Sequence, residues 1–362
     1  MTSLLEALRL KSGVTLKNRL CLAPLTNGQS HDDGRLSDDE YRWLLRRGEG
    51  GFGLVETCAV FTAMSGKTFD GQLGLCSDAH EAALKPLAEA LRETGALAVV
   101  QLQHGGARAP SRLTFEQPVA PSAFHEDTKD FEVPRELSGG EIEAIAEGFV
   151  DSAVRAERAG FGGVELHAAH GYLLCQFLST TQNTRSDGWG GDLAGRARLL
   201  RDIAREIRAR VAPTFVIGVR LSPEDRGHAR GLDVDDMVQV GQWLGADGVD
   251  YVHISLWDAA KNTTKHPEHH PAALFRAALP RDVALIAAGG VWGGGDAQRL
   301  QDHGADIVCV GRAAIVDPDW IAHVIVEHKD PVRPPRTAAE LAAVDVGPAF
   351  VKYLGRFPGF VA

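Results

Sequence analysis

The chain has 362 residues, 44% of them hydrophobic and 24% charged, with a formal net charge of −10. That balance supports a sizeable buried core, and the acidic surplus offers no basic face to nucleic acid or an anionic membrane. No apolar run is long enough to span a bilayer. Glu6, Arg9 and Lys11 interrupt the amino terminus where a signal peptide would carry its apolar stretch. These features predict a cytoplasmic protein with neither nucleic acid nor membrane as partner.

Short, nearly continuous apolar runs recur at 19–25, 52–60, 96–103, 161–167, 214–222, 248–255, 283–291 and 305–312. Such runs suit parallel strands covered on both faces. Amphipathic stretches follow them at 38–48, 79–94, 139–159, 194–210, 233–245, about 271–279, 295–303 and 318–327. "LSDDEY" and "LSGGEIEAI" place a serine before the apolar period and acids in the first turn, a favourable helix start. "ETGA", "RAGF" and "HGAD" place a glycine just before the next strand. Eight strand–helix units predict an α/β fold, a (β/α)8 TIM barrel in a single domain over 1–362. The barrel itself spans about 19–327. The stretch 105–138, long and proline-rich, reads as a loop excursion after strand 3 carrying at most a small hairpin. A tail from about 329 ends in the aromatic "FVKYLGRFPGFVA".

Cys21, Cys58, Cys76, Cys175 and Cys309 are scattered and odd in number, which argues against a disulfide framework, a zinc ribbon or an iron–sulfur cluster.

In such barrels the chemistry sits at the carboxyl ends of the strands. Those positions hold Pro24, Leu25 and Thr26, then Cys58, then Gln101 and His104. Next come His167, His170 and Tyr172, Arg220, Ser255, Gly289 with Gly290, and Gly311 with Arg312. The set hydrogen-bonds and is almost free of carboxylates, because Glu56 and Glu165 fall inside the strands. A paired-carboxylate hydrolase or a divalent-metal site is poorly supported, and no metal is expected. "KHPEHHP", with His266, Glu268, His269 and His270, reads as a solvated loop. Glycines ending strands seven and eight let backbone N–H groups approach an anion, and Arg312 adds a cationic fork, so these ends read as a phosphate site. Arg220, Gln101 and that site suit a flat heterocycle carrying a phosphate chain. A flavin-free phosphate-binding isomerase or aldolase is the alternative. It requires a basic carboxylate or a Schiff-base lysine, for which Lys261 is a poor candidate.

"NRLCLAPLTN", "QLQHGGAR", "VAPSA", "AGFGGVELHAAHGYLLCQFLSTTQNTRSDGWGGDLAGRARLL", "VRLSP" and "AAGGV…VGRAAIVDPDW" together resemble the old yellow enzyme family of FMN-dependent ene-reductases. The similarity runs from about residue 3 to 327, and the His-x-x-His form resembles its bacterial and thermophile-type branch. The resemblance implies non-covalent FMN, NAD(P)H as hydride donor, and an α,β-unsaturated substrate such as an enone, enal, maleimide or nitroalkene. A nitroester or xenobiotic reductase is the alternative within the family. By the resemblance, Pro24, Leu25 and Thr26 line the flavin, and Cys58 and Gln101 meet its pyrimidine edge. Arg220 faces N1 and the C2 carbonyl, while Gly289, Gly290, Gly311 and Arg312 hold the phosphate. His167 and His170 bind the substrate oxygen beside the flavin, and Tyr172 donates the proton. Thr26 stands where part of that branch has cysteine, and "SDGWGGDLAGR" departs from the family pattern. The tail aromatics and Arg356 predict a homo-oligomer whose tail packs on a neighbour, and by the resemblance to that branch Arg356 reaches the neighbouring active site.

Overall fold

The computed structural model describes residues 2–128 and 130–362. Eight parallel strands close into a barrel: β1 (Leu20–Leu22), β2 (Leu54–Phe61), β3 (Leu97–Gln103), β4 (Gly163–Ala168), β5 (Val216–Leu221), β6 (Tyr251–Ser255), β7 (Ala284–Ala288) and β8 (Ile307–Val310). Each strand pairs with its neighbour in sequence, and β8 closes on β1 through Cys309 opposite Cys21. The predicted (β/α)8 fold is the observed one.

Polar caps start the helices where the apolar period begins. Ser37 opens α1 (Asp38–Glu49), Ser77 opens α2 (Asp78–Glu93), and Ser138 with Glu141 forms a capping box on α3 (Gly139–Arg158). Asp192 and Asp233 cap α4 (Leu193–Arg210) and α5 (Val234–Ala246). His270 caps α6 (Pro271–Ala278), and α7 (Gly294–Asp302) follows β7. His270 is therefore a buried structural residue stacked on His303 at 4.1 Å, not part of a solvated loop as the sequence suggested.

Three elements depart from expectation. The stretch expected as a helix over 318–327 is a π-helical turn at Ile321–Val326, and a short unpredicted helix, α8 (Arg312–Val316), precedes it. In the loop after β3, Val119–Ala120 pairs in parallel with Arg135–Glu136, which is no hairpin, and no other strand pairing occurs there among the described residues. Ahead of the barrel, Leu8–Arg9 and Thr15–Leu16 form an antiparallel pair, and Leu10 and Leu16 pack against Leu54, Val99, Val216 and Ile307 to plug the barrel floor.

The tail does not leave the molecule. Phe350, Leu354 and Phe360 are buried in their own chain, with Phe350 edge-on to Trp43 of α1 at 5.1 Å. Arg47 ties the two together, donating to Ala314 O, Ile315 O and Val344 O while stacking on Trp43. Phe350, Leu354 and Phe360 are thus covered by their own chain, whereas Phe357 of the same cluster stays 48% exposed.

Candidate functional site

Over the barrel mouth lies a cavity of about 560 Å³, walled by Pro24, Leu25, Thr26, Gln101, His167, His170, Tyr172, Arg220 and Arg312. Its roof is the tail: Phe350, Tyr353, Phe357 and Phe360 among others. Tyr353 of the roof and Thr26 of the wall line the same cavity. Arg356 lies over the ring of Tyr353 in its own chain. An adjoining cavity of about 150 Å³ is lined by Arg220, Ser255, Gly289, Gly290, Gly311 and Arg312. Twelve of the thirteen residues expected at the site line one of these two spaces.

Cys58 does not. It is 1% exposed and packs in the outer core, while its neighbour Ala59 faces the cavity. The cause is a register shift between β2 and β3 from Glu56 to Ala59. A bulge there breaks the strict alternation of faces, so counting by twos picks the wrong residue. His104 is also withdrawn from the cavity lining: its Nδ1 accepts from Gly106 N, and its Nε2 lies 3.3 Å from Ser65 Oγ.

The "HAAHGY" segment turns sharply at the end of β4. His170 takes φ +60° and Gly171 φ +74°, both left-handed. A Cβ on Gly171 would come within 2.3 Å of His228 O, so only glycine fits. The strained His170 backbone is held from both sides, its N–H donating to Ser222 Oγ (3.0 Å) and its carbonyl accepting from Arg108 Nη1 (2.7 Å). The turn brings His167 Nε2 to 3.3 Å from His170 Nδ1. The Tyr172 ring meets His167 at 4.9 Å, with the Arg108 guanidinium over its other side at 4.5 Å. Burial, reinforced by nearby positive charge, holds both histidines well below the usual imidazole value, so both are neutral at pH 7.

Beneath the mouth, Glu56, Glu165, His253 and Cys309 project inward from alternate strands into one level of the barrel, a place usually filled by apolar side chains. Glu165 accepts from Gln101 Nε2 (2.7 Å) and pairs with His253 Nδ1 (2.8 Å). Burial pushes Glu165 up, but the His253 charge and these hydrogen bonds outweigh it and leave the carboxylate ionised. Burial and the Glu165 charge push Glu56 well up, so it is the neutral partner. Both glutamates are legible in the sequence as buried, yet only barrel closure brings them onto His253. With the Gln101 amide N–H turned down onto a carboxylate, its oxygen is left toward the cavity with no protein partner.

Three further features leave a place for a phosphorylated heterocycle. Arg220 Nε is buried without a partner. Arg312 makes no ion pair or hydrogen bond with the described residues. Gly290, at φ +70°, presents open backbone, and a Cβ there would meet nothing within 4 Å.

The sequence matches the NADH:flavin oxidoreductase / NADH oxidase family over residues 3–330. The chain belongs to this family. It is 35% identical to the probable NADH-dependent flavin oxidoreductase YqiG of Bacillus subtilis, over 89% of this chain and 87% of that one. It is 36% identical to the NADH:fumarate oxidoreductase of Klebsiella pneumoniae over 89% of this chain, and there spans only 36% of the relative's length. Among solved structures, the old yellow enzyme homologue from Zymomonas mobilis superposes with a TM-score of 0.82 at 27% identity, covering 94% of this chain and 96% of that one. This flavin oxidoreductase of the old yellow enzyme type therefore uses FMN, with NAD(P)H as reductant. The flavin-free isomerase or aldolase reading is set aside, and Lys261 is exposed, 4.0 Å from Asp258. No helix among the described residues is long and apolar enough to cross a membrane.

Proposed function

We propose that the protein is an ene-reductase acting on small activated alkenes such as enones, enals, maleimides or nitroalkenes. One observation carries this reading: two neutral histidine nitrogens, 3.3 Å apart, converge at the cavity wall with the Tyr172 ring beside them. An oxygen at ordinary hydrogen-bond distance from both fits between them.

FMN, when bound, would supply two-electron hydride chemistry between NAD(P)H and the electron-poor alkene. In this reading Gly289, Gly290, Gly311 and Arg312 hold the phosphate, and Pro24, Leu25 and Thr26 line the ring system. Gln101 would offer its free amide oxygen to a donor on the ring edge, and Arg220 would compensate negative charge on the reduced ring. His167 and His170 donate to the substrate's carbonyl or nitro oxygen. Each such bond strengthens as negative charge collects there, and one donor of this kind is worth about 2.7–4 kcal/mol in rate. Tyr172 protonates the α-carbon. The tail roof limits water and substrate bulk.

The test is a panel of alkenes mixed with pre-reduced holoenzyme, following flavin reoxidation by stopped flow. Enones and maleimides are expected to reoxidise the flavin fastest. His167→Ala and His170→Ala each slow that step and weaken binding of a phenol, read from its long-wavelength charge-transfer band. A panel in which no activated alkene reoxidises the flavin faster than air defeats the proposal.

A further inference from the structure

We propose that Ser255 is a positioning residue that sets the tautomer of His170 and so turns its Nδ1–H toward the substrate oxygen. This rests on the reading of the two histidines as an oxygen clamp, and the strand-end position of Ser255 is otherwise unused by that reading.

A clamp of two donors needs a hydrogen on His167 Nε2 and another on His170 Nδ1. For His167 the backbone decides: Nδ1 is 3.3 Å from Ala169 N and accepts its hydrogen, so the ring proton sits on Nε2. For His170 the decision falls to Ser255, whose Oγ is 2.6 Å from His170 Nε2 and 3.2 Å from Arg220 Nη2. Arginine can only donate, so Ser255 accepts from Arg220. Its own hydroxyl hydrogen then has one acceptor among the described residues, His170 Nε2. A neutral imidazole that accepts at Nε2 carries its proton on Nδ1, the nitrogen facing His167. The opposite arrangement, with His170 Nε2–H donating to Ser255, lets His167 Nε2–H donate to His170 Nδ1 across 3.3 Å, but it leaves the serine hydrogen unpaired and gives the clamp one donor instead of two. The groups facing this relay are Arg220, His167 and Arg108. Burial first, then the charges of Arg220, Arg108 and His253, push the His170 ring toward neutrality, which a tautomer mechanism requires.

The relay also joins two sites. The guanidinium assigned to the flavin and the histidine assigned to the substrate share a single hydroxyl. Removing that hydroxyl therefore alters donor orientation without touching either ring.

The experiment uses FMN-loaded protein with ¹⁵N-labelled histidine, wild type against Ser255→Ala and Ser255→Thr. In the wild type without ligand, His170 is expected to show a protonated Nδ1 and an unprotonated Nε2. Ser255→Ala moves the population toward the Nε2–H form and weakens phenol binding about fivefold, the worth of one neutral hydrogen bond. Ser255→Thr, which keeps the hydroxyl, restores both readouts. A wild-type His170 protonated on Nε2 overturns the proposal, as does an alanine variant whose tautomer is unchanged. A shifted tautomer with undiminished phenol binding overturns the link to the substrate oxygen. Absence of any phenol band in the wild type strikes the clamp reading itself, while the tautomer measurement still decides the role of Ser255.

Discussion

At the scale of single residues, the site depends on one turn held against its own strain. His170 adopts a left-handed backbone that a histidine rarely takes, and Ser222 and Arg108 hold it there. The reward is geometric, because the same turn sets both histidine nitrogens and the Tyr172 ring on one wall. Tyr172→Phe is expected to leave the reduction of FMN by NAD(P)H and phenol binding nearly intact. Alkene reduction should slow by roughly 10²–10⁴-fold, the contribution of a positioned general acid. Rapid mixing of each half-reaction separately checks this. Equal slowing of both would make Tyr172 a binding residue instead of the proton donor. The short motif "HAAHGY" was readable as a polar cluster at a strand end, because a strand run stops there. Its left-handed turn and the convergence of the two rings were not readable, since neither follows from residue type.

At the scale of elements, β2 and the tail show where local reading fails. Alternation along a strand assumes an unbroken ladder, and the register shift between Glu56 and Ala59 exchanges which of Cys58 and Ala59 faces the cavity. The tail was readable as an aromatic cluster in need of a cover, yet its cover proved to be α1 and α8 of its own chain. Phe350 is the anchor of that packing. Phe350→Ala is expected to destabilise the fold by about 3–5 kcal/mol through the cavity it leaves, measured by urea unfolding. Because the same segment roofs the site, KM for small alkenes should rise in the variant under conditions where it remains folded. A destabilised variant with unchanged KM would show that the roof does not touch substrate.

At the scale of the whole molecule, the barrel buries neutral histidines that the unfolded chain would protonate. Burial lowers His104 from 6.5 to about 4, and His167 and His170 shift in the same direction. Between those values the unfolded chain binds more protons than the folded one. The contribution of His104 is therefore fully present above pH 6.5 and is lost as pH falls toward 4. The slope is about 1.4 kcal/mol per pH unit for one such group. His104→Gln should flatten the dependence of unfolding free energy on pH by about that slope between pH 6.5 and 4, as followed by denaturant titration at several pH values. A slope equal to the wild type's would mean that His104 is protonated in the fold.

The sequence by itself determined the barrel, because eight apolar runs alternating with capped amphipathic stretches admit few other closures, and strand ends then collect their polar residues by rule. The residue kinds of the proposed flavin site were legible as well, since Arg220, Gln101, the paired glycines and the histidine motif lie at those ends in order. Tertiary structure alone decided the rest. Closing the barrel placed Glu165 and His253 together beneath Gln101 and oriented its amide, an effect of residues 152 positions apart in sequence across that level. Folding back of the tail roofed the chain's own cavity, and one bulge chose Ala59 over Cys58. Each of these turns on which distant surfaces meet, and the energy of that meeting is carried by packing and hydrogen bonds that local sequence pattern does not encode.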